Sequence, residues 1–282
     1  MFRPGNTRQD VNNNREDKKM ASTGRLQDKI GLVTGAARGI GEGIARALAA
    51  HGAKLYLADL NVERLDRVAK DIGAIPLCVN VTKEEDWAAA AKRIEADHGS
   101  LDILVHNAGL ELVKPLERTS LAEIQTIMSV NIEGPMIGSR EMSSLLVNAG
   151  KHGKLASVIN VSSVAGFTGQ LDLSAYSVSK AAIAHFSKVL AVEWGSRGHA
   201  IRANTIIPGC IKTEMLEDTI QGWINQGVLN KETAWETMAG LSPLNRIGDV
   251  NDIAMAAVFL ASDESKFITG AEIVVDGGWM AR

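Results

Sequence analysis

Residues 34–41 read TGAARGIG and join two stretches of opposite character. The stretch before them, residues 30–34 (IGLVT), is apolar and rich in residues that favour strands. The stretch after them, residues 40–51 (IGEGIARALAAH), repeats apolar residues at helical spacing. A strand, a glycine-rich turn and a helix in this order predict a βα unit whose helix N-terminus binds phosphate.

Each glycine of this turn has its own expected role. We expect Gly35 to allow the tight turn, Gly39 to let the backbone approach a pyrophosphate, and Gly41 to let the helix pack against the strand. Arg38 and Ile40 lie between these glycines and are expected to contact the same ligand. The turn therefore predicts a dinucleotide site.

Asp59 lies 24 residues beyond Gly35, directly after a strand predicted at residues 54–58. A carboxylate here accepts hydrogen bonds from the adenosine ribose hydroxyls and repels a 2′-phosphate, so it favours NAD over NADP. Arg38 could pair with such a phosphate, but Leu60 after the acid adds no second basic group. The alternative is a surface aspartate that only caps the next helix.

The alternation of strand and helix continues along the chain. Further strands are predicted at residues 75–81, 103–106, 156–161, 203–207 and 272–275, and helices at residues 62–72, 84–98, 121–147, 175–194 and 251–260. Such alternation predicts βαβ units and a parallel sheet. We therefore expect one Rossmann-like, doubly wound α/β domain over residues 25–282, with helices on both faces of the sheet.

The composition excludes several classes of protein. With 282 residues, 45% of them hydrophobic, the chain can bury a large core, and its net charge of −3 does not indicate a nucleic-acid or membrane partner. Its two cysteines form neither a disulfide framework nor a zinc site, and no metal site is expected. Residues 1–24 are expected to be a disordered tail without a secretory signal, so we expect a cytoplasmic protein.

Tyr176 and Lys180 are separated by one helical turn, and Ser163 lies 13 residues upstream. A free tyrosine has a pKa near 10, too high for an efficient base at neutral pH. We expect the Lys180 ammonium and a positive nicotinamide ring to lower the pKa of Tyr176. Ser162, directly before Ser163, is the alternative candidate for the active serine.

These motifs together resemble the short-chain dehydrogenase/reductase family over about residues 26–282. The resemblance rests on TGAARGIG, the Asn107-Ala108-Gly109 turn, the Tyr176/Lys180 pair with Ser163 and Asn131, and Pro208-Gly209. It implies an NAD(P)-dependent oxidoreductase that interconverts a secondary alcohol and a ketone. It also implies that Tyr176 is the acid and base, that Lys180 holds the nicotinamide ribose, that Ser163 binds the substrate oxygen and that Asn131 holds a water of the proton relay.

The resemblance also implies a set of cofactor contacts. They are Gly35, Arg38, Gly39, Ile40, Gly41, Asp59, Leu60, Asn80, Val81, Asn107, Ala108, Gly109, Tyr176, Lys180, Pro208, Gly209, Ile211 and Thr213. Two positions depart from the family pattern, where Asn80 replaces an aspartate and His106 replaces an asparagine. We interpret His106 as a tolerated residue at a strand end rather than as a second base.

Residues 214–241 match the family's mobile lid over the substrate. Their apolar residues recur at helical spacing, which favours a hydrophobic or cyclic alcohol such as a hydroxysteroid or cycloalkanol. The alternative is that this stripe packs on the core or on another subunit. Glu111 lies close enough to the Asn107-Ala108-Gly109 turn to face the site, but the sequence alone does not place it there.

Two other functions remain open at this stage. The first is an NADPH-dependent ketone or 3-oxoacyl reductase, which Arg38 supports. The second is a catalytically silent dinucleotide-binding regulator, against which the intact Asn131, Ser163, Tyr176 and Lys180 set argues. The resemblance further implies a homotetramer paired through the helices at residues 121–147 and 175–194, with Trp279 buried by a neighbour.

Overall fold

The computed structural model describes residues 24–281, and within them seven parallel strands form one sheet. The strands are β1 (Ile30–Thr34), β2 (Lys54–Asp59), β3 (Ile75–Cys78), β4 (Ile103–His106), β5 (Ala156–Val161), β6 (Ile201–Pro208) and β7 (Glu272–Val275). Their order is β3-β2-β1-β4-β5-β6-β7, so the chain reverses direction across the sheet between β3 and β4. This reversal opens a crevice beyond the carboxyl ends of β1 and β4. Apart from Gly24, the predicted disordered tail lies outside the described residues.

Helices cover both faces of the sheet, which confirms the predicted fold class. They are α1 (Gly39–Ala50), α2 (Val62–Ile72), α3 (Glu84–His98), α4 (Leu121–Met128), α5 (Gly134–Lys151), α6 (Ser174–Ser196), α7 (Glu214–Asn225), α8 (Ala234–Gly240) and α9 (Val250–Ala261). The apolar residues of α1, α2 and α9 pack on one face, and those of α3, α5 and α6 pack on the other. Within residues 24–281, no helix is long and apolar enough to cross a membrane.

The helix predicted over residues 121–147 is two helices, α4 and α5. A π turn at Ser129–Glu133 separates them, and it includes Asn131. In this turn the Gly134 N–H donates to the Ser129 carbonyl, one residue further back than in an α-helix. The chain is helical without a break from Leu121 to Lys151, so the helical region predicted at residues 121–147 is confirmed, but the π turn within it was not predicted.

The bounds of β3 and β6 also differ from the prediction, for reasons of pairing, and β2 extends one residue further, to Asp59. β3 ends at Cys78 rather than at residue 81, because its neighbour β2 ends at Asp59, the residue that pairs with Cys78. β6 is longer than the predicted 203–207, because β5 pairs with it from Ile201 and β7 pairs with it as far as Pro208.

The β1–α1 turn is packed tightly against the end of β4. The Asn107 side-chain amide donates to the carbonyls of Thr34 and Gly35, each at 3.1 Å. The Thr34 hydroxyl accepts in return from the backbone amides of Asn107 (3.0 Å) and Ala108 (3.1 Å). A Cβ atom at Gly41 would lie 2.1 Å from the Gly35 carbonyl oxygen and 2.4 Å from the Asn107 amide nitrogen. Only glycine therefore fits at position 41.

We expect Gly41→Ala to destabilise the protein by about 1–3 kcal/mol, the usual cost of overpacking, because its methyl group would collide with backbone. Urea unfolding measures this loss, and quenching of tryptophan fluorescence by NADH measures dinucleotide binding, which should fall as well. Gly195→Ala in α6 is the matched control, since no atom lies within 4 Å of its added methyl group. The close-packed turn would be contradicted if Gly41→Ala unfolded at the same urea concentration as the wild type.

Candidate active site

A cavity of about 380 Å³ lies at the carboxyl ends of the strands. Most of the predicted site residues line it. They are Gly35, Arg38, Gly39, Ile40, Asp59, Leu60, Asn80, Val81, Asn107, Ala108, Gly109, Ser163, Tyr176, Lys180, Pro208, Gly209, Ile211 and Thr213. Gly41 and Asn131 lie behind its wall, so the sheet topology brings together all but two of the predicted residues.

The glycine turn forms the phosphate end of the cavity. Gly35 and Gly39 both have positive φ angles, +63° and +58°, a conformation that side chains disfavour. At Gly39, an added Cβ would have only the Thr213 side chain within 4 Å, so the backbone there stays open to a ligand. No side chain caps the first turn of α1. Its amides and its positive dipole end are therefore suited to a pyrophosphate.

Asp59 is held in place at the adenosine end of the cavity. Its carboxylate accepts from the backbone amides of Ala37 (3.1 Å) and Asn61 (2.9 Å). Asn80 lies nearby, and its side-chain oxygen accepts from the Thr82 amide (3.0 Å) and hydroxyl (2.8 Å). This leaves the Asn80 NH₂ group as a donor for an acceptor on the adenine ring.

Two guanidinium groups meet one carboxylate beside Asp59. Glu214, at the start of α7, pairs with Arg38 (2.5 Å) and with Arg64 (2.8 Å). Arg38 was predicted from the sequence to lie beside Asp59, but Arg64 was not, and no second basic group was expected near that carboxylate. Arg64 lies on α2, and Glu214 lies 150 residues further along the chain, so no short motif connects them.

The segment after β6 closes the nicotinamide end. Gly209 packs against the backbone of Asp276, where a Cβ atom would lie 2.7 Å from the Asp276 Cα. Ile211 is buried and forms a bridge with Gly248. Thr213 caps α7 by accepting from the Leu216 amide at 3.3 Å. The predicted cofactor contacts of this segment therefore lie along the cavity wall, where the segment joins the sheet to α7.

Tyr176 and Lys180 both face the cavity from α6, and both are largely buried. The Lys180 ammonium donates to the Val161 carbonyl at 2.9 Å and lies 5.6 Å from the centre of the Tyr176 ring. Burial lowers the pKa of Lys180 to about 8. Burial also raises the pKa of Tyr176, the Glu111 carboxylate raises it further, and the Ser163 hydroxyl lowers it. The chain's own groups therefore do not produce the lowered tyrosine pKa that we expected.

The two neighbouring serines have different environments. The Ser162 hydroxyl is buried and donates to the Lys180 carbonyl at 2.6 Å, so its proton is already engaged. The Ser163 hydroxyl accepts from the Ala165 amide at 3.2 Å and acts on the Tyr176 phenol, so it faces the cavity beside that group. This arrangement favours Ser163 over Ser162 as a donor to the substrate.

Asn131 holds the cavity wall in place. Its side chain accepts from the Leu110 amide (2.8 Å) and donates to the Leu110 carbonyl (2.9 Å) and to the Ser179 hydroxyl (2.9 Å). The side chain is therefore fully engaged with the protein and does not line the cavity. Its expected part in a proton relay stays a prediction.

His106 and Cys210 are not suited to act as a base or a nucleophile. His106 is buried away from the cavity, contacts the Ser139 hydroxyl at 3.1 Å, and has a pKa lowered to about 3 by burial. Cys210 lines the cavity, but burial and the Glu111 charge raise the pKa of its thiol to about 12. These environments support the interpretation of His106 as a tolerated residue at a strand end, and they argue against a reactive role for the Cys210 thiol.

Helices α7 and α8 cover the outer part of the cavity. Their buried residues Ile220, Trp223 and Met238 form an apolar cluster with Leu173 and Tyr176. Leu216, Trp223 and Met238 also line the cavity, so part of the predicted apolar stripe faces the site.

Among the other residues that line the cavity, Glu111 and Trp279 were not predicted to belong to the site. Glu111 lines the cavity from the loop after β4, although no motif places it there. Trp279, which the resemblance assigned to a subunit interface, lines the cavity from the C-terminal turn Trp279–Ala281 and is half-buried.

Comparison with known proteins identifies similar chains. A family model described as enoyl-(acyl carrier protein) reductase matches residues 35–280. The NADP-dependent (R)-specific alcohol dehydrogenase of Lentilactobacillus kefiri is 36% identical, over 92% of this chain and 100% of that protein. The cyclopentanol dehydrogenase of Comamonas testosteroni is 35% identical over the same shares. The 3-alpha-(or 20-beta)-hydroxysteroid dehydrogenase of Mycobacterium tuberculosis is 35% identical over 92% of each chain.

A solved structure has the same fold. The 3-ketoacyl-(acyl-carrier-protein) reductase from Brucella melitensis, complexed with NADH, superposes with a TM-score of 0.80 at 30% sequence identity. The match covers 90% of this chain and 99% of that one.

Proposed function

We propose that this chain, which belongs to the short-chain dehydrogenase/reductase family, is an NAD-dependent oxidoreductase. Its proposed substrates are hydrophobic or cyclic secondary alcohols. The family and its relatives establish the coarser statement, an NAD(P)-dependent alcohol dehydrogenase or ketone reductase that acts on CH–OH groups. The cofactor preference and the substrate class are our inference.

One observation carries the proposal: Ser163, Tyr176 and Lys180 converge on the cavity whose other end is the glycine turn. A bound oxidised nicotinamide would supply a positive charge and an acceptor for the hydride of the alcohol carbon. Tyr176 takes the hydroxyl proton at its phenol oxygen and returns it in the reverse reaction. Ser163 donates a hydrogen bond to the substrate oxygen, where negative charge develops. The Lys180 ammonium lies 5.6 Å from the centre of the Tyr176 ring, but burial of the phenol outweighs its charge, so a lowered pKa of Tyr176 requires the charge of the cofactor as well.

The cavity wall supports an apolar substrate. Its outer part is lined by Leu110, Leu173, Met215, Leu216, Trp223 and Met238. Such a surface gains free energy by covering a hydrocarbon body. The relatives named for cyclopentanol and for hydroxysteroids fit the same interpretation.

The geometry around Asp59 supports a preference for NAD. Two backbone amides fix the Asp59 carboxylate, so its charge would oppose a 2′-phosphate. Glu214 pairs with both Arg38 and Arg64, and this pairing competes with any phosphate for the two guanidinium groups. The second candidate, an NADPH-dependent reductase, is favoured by these same arginines and by the NADP-dependent relative.

We also infer a homotetramer, as the family resemblance implies, and a cytoplasmic location. The outer faces of α5 and α6 support the assembly, because they expose the apolar side chains of Met136, Val189 and Val192. Both statements stay predictions.

We predict that Tyr176→Phe lowers kcat by at least about 10²-fold, the lower end of the usual contribution of general acid–base catalysis. The dissociation constant for NAD should stay nearly unchanged, because the phenol oxygen acts on the substrate proton. Lys180→Ala should impair both quantities. Tyr56→Phe is the matched control, since it removes the hydroxyl of the other tyrosine, on β2 outside the cavity.

Steady-state rates with cyclopentanol and a hydroxysteroid, each with NAD, measure the effect. If Tyr176→Phe retained more than about a tenth of the wild-type kcat, well short of that expected loss, Tyr176 would not be the base. A wild-type protein that binds NAD but turns over no secondary alcohol or ketone would favour the silent regulator.

We predict that Asp59→Ala and Glu214→Gln each raise the NADP-to-NAD ratio of kcat/KM. Asp59→Ala removes a repulsive charge, and Glu214→Gln releases Arg38 and Arg64 to bind a 2′-phosphate. A tenfold rise corresponds to about 1.4 kcal/mol, which is the size expected for the loss of one close charge contact. Glu217→Gln, an equal charge change on the same helix, is the control and should leave the ratio unchanged. A wild-type protein that already uses NADP better than NAD would overturn the proposed preference.

A further inference from the structure

Glu111 brings a carboxyl group into the part of the cavity where a substrate would bind. It follows Leu110, whose backbone amide and carbonyl are both held by the Asn131 side chain. The loop before Glu111 is therefore fixed in position. The Glu111 side chain lines the cavity together with Tyr176, Lys180 and Cys210. Its charge acts on all three of these groups, raising the pKa of each.

Only one protein group forms a hydrogen bond with the Glu111 carboxyl among residues 24–281. Its Oε1 atom contacts the hydroxyl of Thr219 on α7. That hydroxyl also lies 2.8 Å from the Met215 carbonyl. Because a hydroxyl has a single proton, it can donate to one of these two acceptors only. The Thr219 hydroxyl is therefore shared between the Glu111 carboxyl and the Met215 carbonyl, so it does not fully satisfy Glu111.

The environment of Glu111 agrees with a group that can hold a proton. Burial raises its pKa to about 7, while the Thr219 hydrogen bond and the Lys180 charge oppose that rise. Near neutral pH the carboxyl is therefore available both as a hydrogen-bond acceptor and as a donor. A neutral carboxyl or a carboxylate in an apolar cavity costs free energy unless a partner satisfies it.

The second oxygen, Oε2, receives no hydrogen bond from the described part of the chain. The charge of Lys180 lowers the pKa of Glu111. The Lys180 ammonium, however, already donates to the Val161 carbonyl. Oε2 therefore faces the open cavity, where a polar atom of a bound substrate can complete the hydrogen bonding of Glu111.

The charges in the cavity distinguish between the possible substrate groups. A substrate ammonium would be placed in the same cavity as the Lys180 ammonium, which would repel it. A hydroxyl carries no charge, and it can both donate to and accept from a carboxyl group. The outer wall of the cavity is largely apolar, with Leu216, Trp223 and Met238 in it.

We propose that Glu111 is a specificity residue that binds a second hydroxyl group of the substrate. The preferred substrate is then a mostly apolar secondary alcohol that carries a further hydroxyl on its hydrocarbon body. This inference rests on the proposed function, because it assumes that the reacting alcohol lies at Tyr176. It assigns Glu111 to substrate recognition and not to proton transfer from the reacting hydroxyl.

The test compares a cyclic mono-alcohol with its diols. The kcat/KM of cyclohexanol is measured beside those of the isomeric 1,2-, 1,3- and 1,4-cyclohexanediols, with NAD, for the wild type, Glu111→Gln and Glu111→Leu. Glu117→Gln, at an exposed position outside the cavity, is the control. Binding of NADH to each variant confirms that it is folded.

We expect the wild type to prefer at least one diol isomer over cyclohexanol. The diol-to-cyclohexanol ratio of kcat/KM should fall at least about tenfold in Glu111→Leu, as expected for the loss of one buried hydrogen bond. It should fall less in Glu111→Gln, because an amide can still bond to a hydroxyl. Most of the loss should lie in the KM of the diol.

Three results would overturn the inference. A wild type that oxidises cyclohexanol and every diol equally well, with a ratio unchanged in Glu111→Leu, contradicts it while the proposed function stands. A preference for trans-4-aminocyclohexanol that Glu111→Gln abolishes would replace the hydroxyl by an ammonium group. A folded, NADH-binding wild type that oxidises none of these alcohols overturns the proposed function and the inference with it.

Discussion

The contact between the β1–α1 turn and the end of β4 is the constraint on which the rest of the site depends. Asn107 bonds to the backbone of Thr34 and Gly35, and the absence of a side chain at Gly41 lets the helix come close enough for this. The contact aims the start of α1 into the crevice where the strand order reverses. The loop that continues from Asn107 then carries Glu111 to the opposite end of the same cavity. One packing arrangement thus sets the positions of both the phosphate end and the substrate end.

The electrostatic environment also differs between the two ends of the cavity. At the adenosine end, the charges are exposed and paired: Glu214 lies between Arg38 and Arg64. At the reaction end, three ionisable groups are largely buried: Tyr176, Lys180 and Glu111. Burial raises the pKa of Tyr176 and of Glu111 and lowers that of Lys180, so it favours the neutral form of each group. The protein alone therefore holds its phenol protonated. We infer that the positive charge of a bound oxidised cofactor would make the phenol a usable base.

The sequence was sufficient for the parts of the molecule that local patterns determine. The bounds of β1, β4, β5 and β7 agree with the prediction, because an apolar run followed by a turn or a polar residue has a visible end. The Tyr176 and Lys180 pair was visible because both residues lie on one helical turn. The π turn around Asn131 was not predicted, because it is a single turn inside an otherwise α-helical region.

Contacts between residues far apart in the chain were beyond the sequence. Arg64 and Glu214 meet only because α2 and α7 approach the same corner of the cavity. The Glu111 and Thr219 contact joins residues 108 positions apart. The pKa of Tyr176 depends on how deeply α6 is buried, and a spacing of four residues contains no information on burial. Side-chain chemistry could thus be assigned from the sequence, but its electrostatic environment could not.

Ultraviolet titration of tyrosine ionisation tests this account most directly. The chain has two tyrosines, so a Tyr56→Phe variant leaves Tyr176 as its single phenol. The absorbance of the tyrosinate is followed against pH, with and without saturating NAD, and the Tyr56→Phe/Tyr176→Phe protein supplies the blank. The account predicts no ionisation below about pH 10, the ordinary tyrosine value, in the free protein, and a clearly lower pKa with NAD bound. Identical titration curves in the two states, or ionisation near neutral pH without NAD, would contradict it.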